Sequence, residues 1–194
     1  MAERTTPQGL MSVEEYLEFE RNSPVKHEFV GGRVYAMTGV SRPHSRVSGN
    51  IFRKLADDAE GGPCRVHQSD MKVPTPDGPY YYPDVVFACG REPEDEYIED
   101  EPCLLVEILS PNTESIDRRE KLLAYRRIPT LRSYLIASQT EPMVERHFRD
   151  DNGDWRTEIL EEGRFPVPCP PGANLSLADI YRGVQIPGVG RLLS

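Results

Sequence analysis

The chain alternates between stretches of helical and strand-like hydrophobic spacing. Ser12, with Glu15 three residues on, forms a capping-box pattern ahead of Val13, Tyr16 and Leu17, and predicts a first helix that stops before Pro24. From Lys26 to Met37, HEFV and RVYAM flank Gly31 and Gly32, the composition of a tight hairpin with Glu28 on its first strand. A polar loop, TGVSRPHS, carries His44 toward a second helix of about fifteen residues, in which Val47, Ile51 and Leu55 recur at four-residue steps. Gly61, Gly62 and Pro63 end it. Strands are then expected at Cys64 to Gln68 and through Val85 to Phe87, with a turn in MKVPTPDGPYYY between them.

The spacer REPEDEYIEDEP reads as a solvated acidic loop, because so many like charges do not pack together. After it, Cys103 to Leu109 is apolar except for Glu107, as in a strand buried on both faces. SPNTES changes the chain direction, and Asp117 with Glu120 signals the start of another helix. That helix carries Lys121, Ala124, Tyr125 and Ile128 as a stripe and closes at Pro129. A strand from Ser133 to Ala137 and a hairpin about Asp151, Asn152 and Gly153 follow. The tail from Phe165 is rich in Pro and Gly, with a short helical piece near Leu177 to Tyr181. This order predicts an α/β fold with a mixed sheet flanked by helices, organised as one domain over residues 1–194 with its core at about 10–180.

Two acids break this pattern. An ionised carboxylate inside a buried strand carries a penalty of several kcal/mol unless a cation or strong donors meet it. Asp84, just before Val85, Val86 and Phe87, repeats the feature that Glu107 shows. If their strands pair, the two carboxylates converge on one ion, and hard oxygen ligands suit Mg2+ or Mn2+. Lys121, on the inward stripe of the next helix, falls against the same face. Each residue has a plainer reading as well. Glu107 can be half of a buried ion pair with Arg118 or Arg119, Glu28 can pair with Arg33 across the hairpin, and His44 can be a structural hydrogen-bonding residue. Lys72 is a second candidate for the cationic role. Arg118, Arg119, Arg126, Arg127 and Arg132 suit either a phosphate track or a solvated helix face.

Composition limits the partners. The net charge of -9 argues against a general electrostatic grip on nucleic acid or an anionic membrane, so a polyanion needs a local basic patch or a bound divalent ion. Cys64, Cys89, Cys103 and Cys169 form no CxxC pair, and the two that lie in apolar strand-like runs read as reduced core residues. Residues 1–10 show no signal-peptide pattern and no run spans a membrane, so a cytoplasmic setting is expected.

Pro83-Asp84 followed by Glu107-Ile108-Leu109 resembles the PD-(D/E)XK signature of the restriction-endonuclease-like superfamily. SVEEYLEFE, HEFVGGRVYAM, His44, YPDVVF, LLVEILSPNT and the run from Asp117 through Lys121 to Tyr125 are together similar to the Uma family of endonuclease-like bacterial proteins. That resemblance covers residues of roughly 10 to 180. It implies an αβββαβ core, Mg2+ or Mn2+ held by Asp84 and Glu107, and a DNA substrate. Leu109 stands where the superfamily usually has lysine, and the resemblance maps that lysine onto Lys121. Glu28 and His44 match positions characteristic of the family, as further members of the pocket. A metal-dependent endonuclease is therefore expected, with a homodimer as its assembly. The competing expectations are a decayed nuclease fold that binds nucleic acid or a protein partner, and a hydrolase of smaller phosphate esters.

Overall fold

The structure, a computed structural model, describes residues 9–110, 114–170, 172–186 and 190–191. The N-terminal residues 1–8 and residues 111–113 of the SPNT turn lie outside the described residues.

Helix α1 (Val13–Asn22) starts at the expected capping box. Ser12 Oγ accepts the Glu15 N–H at 3.2 Å, and Glu15 Oε2 accepts the Ser12 N–H at 2.7 Å. Strands β1 (His27–Val30) and β2 (Arg33–Ala36) form the hairpin, and Gly31 and Gly32, with φ of 56° and 82°, supply the left-handed pair that a two-residue turn needs. Helix α2 (Arg42–Ala59) begins at Ser41, whose Oγ accepts the His44 N–H. His44 therefore belongs to the first turn of this helix and not to the loop ahead of it, because Pro43 is tolerated where the N–H would be unpaired anyway.

The main sheet has the order β10-β9-β8-β7-β6-β3. Strands β3 (Cys64–Gln68), β6 (Val85–Cys89) and β7 (Pro102–Ile108) are antiparallel neighbours, and β8 (Ser133–Ala137) lies parallel to β7 after a helical crossover. Strands β9 (Val144–Arg149) and β10 (Trp155–Leu160) close that side as a hairpin. Taken from α2 onward, the succession is the αβββαβ core. A smaller sheet, ordered β2-β1-β5-β4, joins the first hairpin to β4 (Val73–Pro74) and β5 (Tyr80–Tyr81).

Strand β7 is buried along its whole length, and its side chains sort by alternation into two cores. Leu104, Val106 and Ile108 pack with Val47, Ile51 and Leu55 of α2. Leu105 and Leu109 pack with Tyr125, Ile128 and Tyr134 on the opposite face. Glu107 belongs to this second face.

The Pro/Gly-rich tail forms β11 (Arg164–Val167), β12 (Ala173–Ser176) and α4 (Leu177–Ile180), which bury Phe165, Val167, Leu175 and Ile180 in the α2-side core. Two expectations are corrected. The acidic spacer is not wholly solvated, since Glu99 is buried against Arg65 at 2.8 Å. The cysteines are not reduced but joined as Cys64–Cys89 and Cys103–Cys169. The β3/β6 register sets Cys64 directly opposite Cys89, a proximity invisible at 25 residues of separation.

Candidate active site

In the antiparallel register of β6 and β7, Val86 faces Leu105 and Val85 faces Val106, which leaves Asp84 and Glu107 as the next pair along the two strands. Asp84 Oδ2 accepts the Ile108 N–H at 2.8 Å, and Oδ1 lies 2.8 Å from His44 Nε2. Glu107 Oε1 accepts from Lys121 Nζ and from the Tyr125 hydroxyl, each at 2.9 Å. Lys121 Nζ also stands 2.8 Å from Glu28 Oε1 and 3.3 Å from Asp117 Oδ1. Glu28, His44, Asp84, Glu107 and Lys121 thus line one cavity of about 770 Å³. Five residues spread from 28 to 121 are brought together by two strands, one hairpin, the first turn of α2 and the helix that crosses from β7 to β8.

The crossover helix reaches this cavity through an unusual local shape. Ile116–Lys121 is a π-helical turn that runs into α3 (Leu122–Tyr125). In a straight α-helix, residues four apart drift about 40° around the axis at each step. The wider turn offsets that drift over its own length, so Asp117, Lys121 and Tyr125 all face the β7 carboxylate. Asp117 is not the helix-opening cap its position suggested. Helical backbone is already present at Glu114, and the Asp117 side chain is buried beside Lys121.

Burial dominates the electrostatics here. It pushes the Glu107 carboxyl well above the usual carboxylate range; Lys121 opposes that shift, while Asp117, Asp84 and Glu28 add to it. Burial also acts to discharge Lys121, but Glu107, Glu28 and Asp117 outweigh it and hold the ammonium well above its ordinary value. Glu107 is raised chiefly by its burial and the ammonium by the acids that share it, so the ammonium keeps its proton and Glu107 tends to gain one. The Tyr125 hydroxyl is raised by burial and by Glu107, which keeps it a donor.

The plainer readings fare unevenly. Glu28 faces Tyr35, while Arg33 lies opposite Val30, so the cross-hairpin ion pair is absent. Arg118 is engaged by Glu114 and Glu145, Arg127 by Asp77, and Arg119 is exposed, so neither Arg118 nor Arg119 neutralises Glu107. Lys72 sits elsewhere, over the Tyr82 and Tyr97 rings, with its pKa lowered by burial. Leu109 is buried in the apolar cluster, and the cation arrives from the helix. Sequence reasoning named Asp117 and Tyr125 only as helix residues. Their spacing of four on either side of Lys121 was the available signal. It missed Gln139, which donates to Leu109 O at 2.7 Å and accepts from Ser41 at the cavity wall.

A hard divalent cation fits these residues in a limited way. Both bonds to Glu107 fall on Oε1, and a carboxylate offers about four lone-pair sites, so Glu107 and Asp84 each retain acceptor capacity. Among the described residues no three His, Cys, Asp or Glu side chains are arranged to hold a metal ion. A cation here would have two protein carboxylates, with water or substrate completing its shell, which is the habit of Mg2+.

The sheet order and the succession of elements define a restriction-endonuclease-like α+β fold. A crystal structure described as a putative nuclease belonging to DUF820 from Anabaena variabilis shares it, with a TM-score of 0.68 at 18% identity over 88% of this chain and 97% of that one. The chain belongs to the Uma2 family, described as Putative restriction endonuclease, whose model matches residues 13–179. Two Synechocystis proteins are similar to it. The uncharacterized protein slr1290 is 36% identical over 182 residues, covering 93% of this chain and 96% of its own. The uncharacterized protein sll1609 is 29% identical over 159 residues, covering 79% and 89%. Among the described residues no helix is long and apolar enough to cross a membrane.

Proposed function

We propose that this chain is a divalent-metal-dependent nuclease that hydrolyses DNA phosphodiester bonds, with Asp84 and Glu107 as the ligands of Mg2+ or Mn2+. The observation that carries the reading is that these two acids are neighbours on paired strands and open with Lys121 into one cavity. A bound ion of this kind polarises the phosphodiester and lowers the pKa of an attacking water. The protein side chains supply the preorganisation. The Ile108 N–H and His44 fix the Asp84 carboxylate, while Lys121 and Tyr125 fix Glu107. Glu28 and Asp117 keep the ammonium charged and in place, so positive charge stays beside the reacting phosphate. Arg119, exposed on the same helix, is a phosphate contact in this reading.

Incubating the full chain with plasmid, linear duplex and single strands in Mg2+ or Mn2+ tests this. Cleavage should occur in wild type and vanish in Asp84→Ala and Glu107→Ala with the fold retained. Identical Mn2+ binding by wild type and the doubly substituted protein, measured by calorimetry, would show that the ligands are wrongly assigned. A second reading, a binding module that has lost catalysis, is favoured by one observation: Lys121 bonds Glu28, Glu107 and Asp117 together and so takes up acceptor oxygens that a metal would use. It predicts metal-independent binding and no cleavage under any condition.

A further inference from the structure

The cavity is acidic at its floor and apolar at its rim. Seven large hydrophobic side chains stand exposed among the described residues, and three of them, Tyr35 at 53%, Val40 at 57% and Ile116 at 40%, line this one cavity. Tyr35 faces Glu28 across the hairpin, so its ring stands on the same side as the carboxylate that bonds Lys121. Among the described residues the Tyr35 hydroxyl has no hydrogen-bond partner, and nothing about the fold requires an aromatic ring in solvent there.

The rim also lacks what a duplex needs. Among the described residues no arginine lines the cavity, and the one lysine there, Lys121, is buried and saturated by three carboxylates. Arg118 and Arg127 are tied to Glu114, Glu145 and Asp77. Duplex backbone is gripped through several phosphate contacts at once, and the described residues that line this mouth hold no uncommitted cation to make them. Unpaired bases present flat π-faces that stack on aromatic side chains without any positive charge. A cavity of about 770 Å³ is of ligand-binding size, with room for a nucleotide whose phosphate lies at the acidic floor through a divalent ion.

We propose that the hairpin rim is a base-stacking platform with Tyr35 as its aromatic member, and that the substrate is single-stranded nucleic acid. The proposal rests on the nuclease reading of the same cavity and adds the substrate class to it. Tyr35 is a positioning residue in this scheme, acting on the base while the chemistry proceeds at the phosphate.

The test measures fluorescence anisotropy of the full chain, in Ca2+ at fixed salt, with a labelled single strand of about twenty nucleotides, its duplex, and an abasic strand of equal length. The single strand should bind at least tenfold more tightly than the duplex. Tyr35→Ala should weaken single-strand binding by roughly tenfold and leave the abasic strand unchanged, whereas Tyr35→Phe should stay near wild type. Melting curves check that the variants fold. Equal affinity for duplex and single strand, or unchanged single-strand binding in Tyr35→Ala, overturns the platform; if wild type still nicks plasmid in Mn2+, the nuclease reading survives that result. Absence of both binding and cleavage overturns the two together.

Discussion

Replacing Lys121 by methionine keeps the apolar stem of the side chain and deletes its charge. In the native site the ammonium meets carboxylates at 2.8, 2.9 and 3.3 Å. At an effective dielectric near 20, each such pair is worth about 5 to 6 kcal/mol before desolvation and the mutual repulsion of the acids are subtracted. Removing one partner of a buried ion pair typically destabilises by about 3 to 5 kcal/mol, and that range is expected for Lys121→Met at pH 8. For a chain of this length it corresponds to a melting temperature lower by roughly 6 to 20 °C. Without the cation the buried acids bind protons more tightly in the folded than in the unfolded state, so stability of the variant falls as pH rises. The deficit relative to wild type should therefore shrink on going from pH 8 to pH 5.5, as Glu107, already raised by burial, takes up its proton. Urea unfolding followed by circular dichroism at the two pH values reads both effects. A loss below about 1 kcal/mol, or a deficit that grows toward acid, would refute the account of Lys121 as the buried counter-ion of this cluster.

Other outcomes follow from the same geometry. Tyr125→Phe removes one donor to Glu107 Oε1 and should lower stability by about 1 to 3 kcal/mol in urea unfolding; a neutral result would mean the hydroxyl is not bonded. Because burial raises the Glu107 pKa and a cation needs the ionised form, calorimetric Mn2+ affinity should increase with pH and binding should release protons; a flat profile between pH 6 and 8 would count against Glu107 as a ligand. Reducing Cys103–Cys169, which spans 66 residues of sequence, should destabilise by about 4 kcal/mol on the chain-entropy estimate, read as a lower urea midpoint in dithiothreitol; an unchanged midpoint means the tail docks without that link.

What the sequence revealed, and what it hid, divides by the range of the interaction. The capping box at Ser12, the Gly31-Gly32 turn and the strand at Ser133–Ala137 are local signals, and each element forms where its residues specify it. Asp84 and Glu107 stood out because an acid in an apolar run is costly, a penalty legible without coordinates. Their partners were less legible. Lys121 looks like any helix lysine until the resemblance to a family selects it, and Asp117 resembled a helix cap because an acid before a helix normally is one. The strands of the tail were less legible for a related reason: Pro and Gly signal turns, yet alternate residues Phe165, Val167, Ala173 and Leu175 still present one apolar face. The cysteine pairs depend on strand register and on the path of the tail, information that spacing along the chain does not carry.

The π-helical turn at Ile116–Lys121 makes the third acid depend on helix phase. One residue fewer between Asp117 and Lys121 would return the turn to ordinary α spacing, leaving the two about 60° apart around the axis and moving the carboxylate off its present line to the ammonium. A single-codon deletion can thus re-aim one carboxylate of the cluster while Asp117 and Lys121 are themselves unchanged. Lineages carrying such an indel would keep both residues and yet hold them in a different mutual geometry.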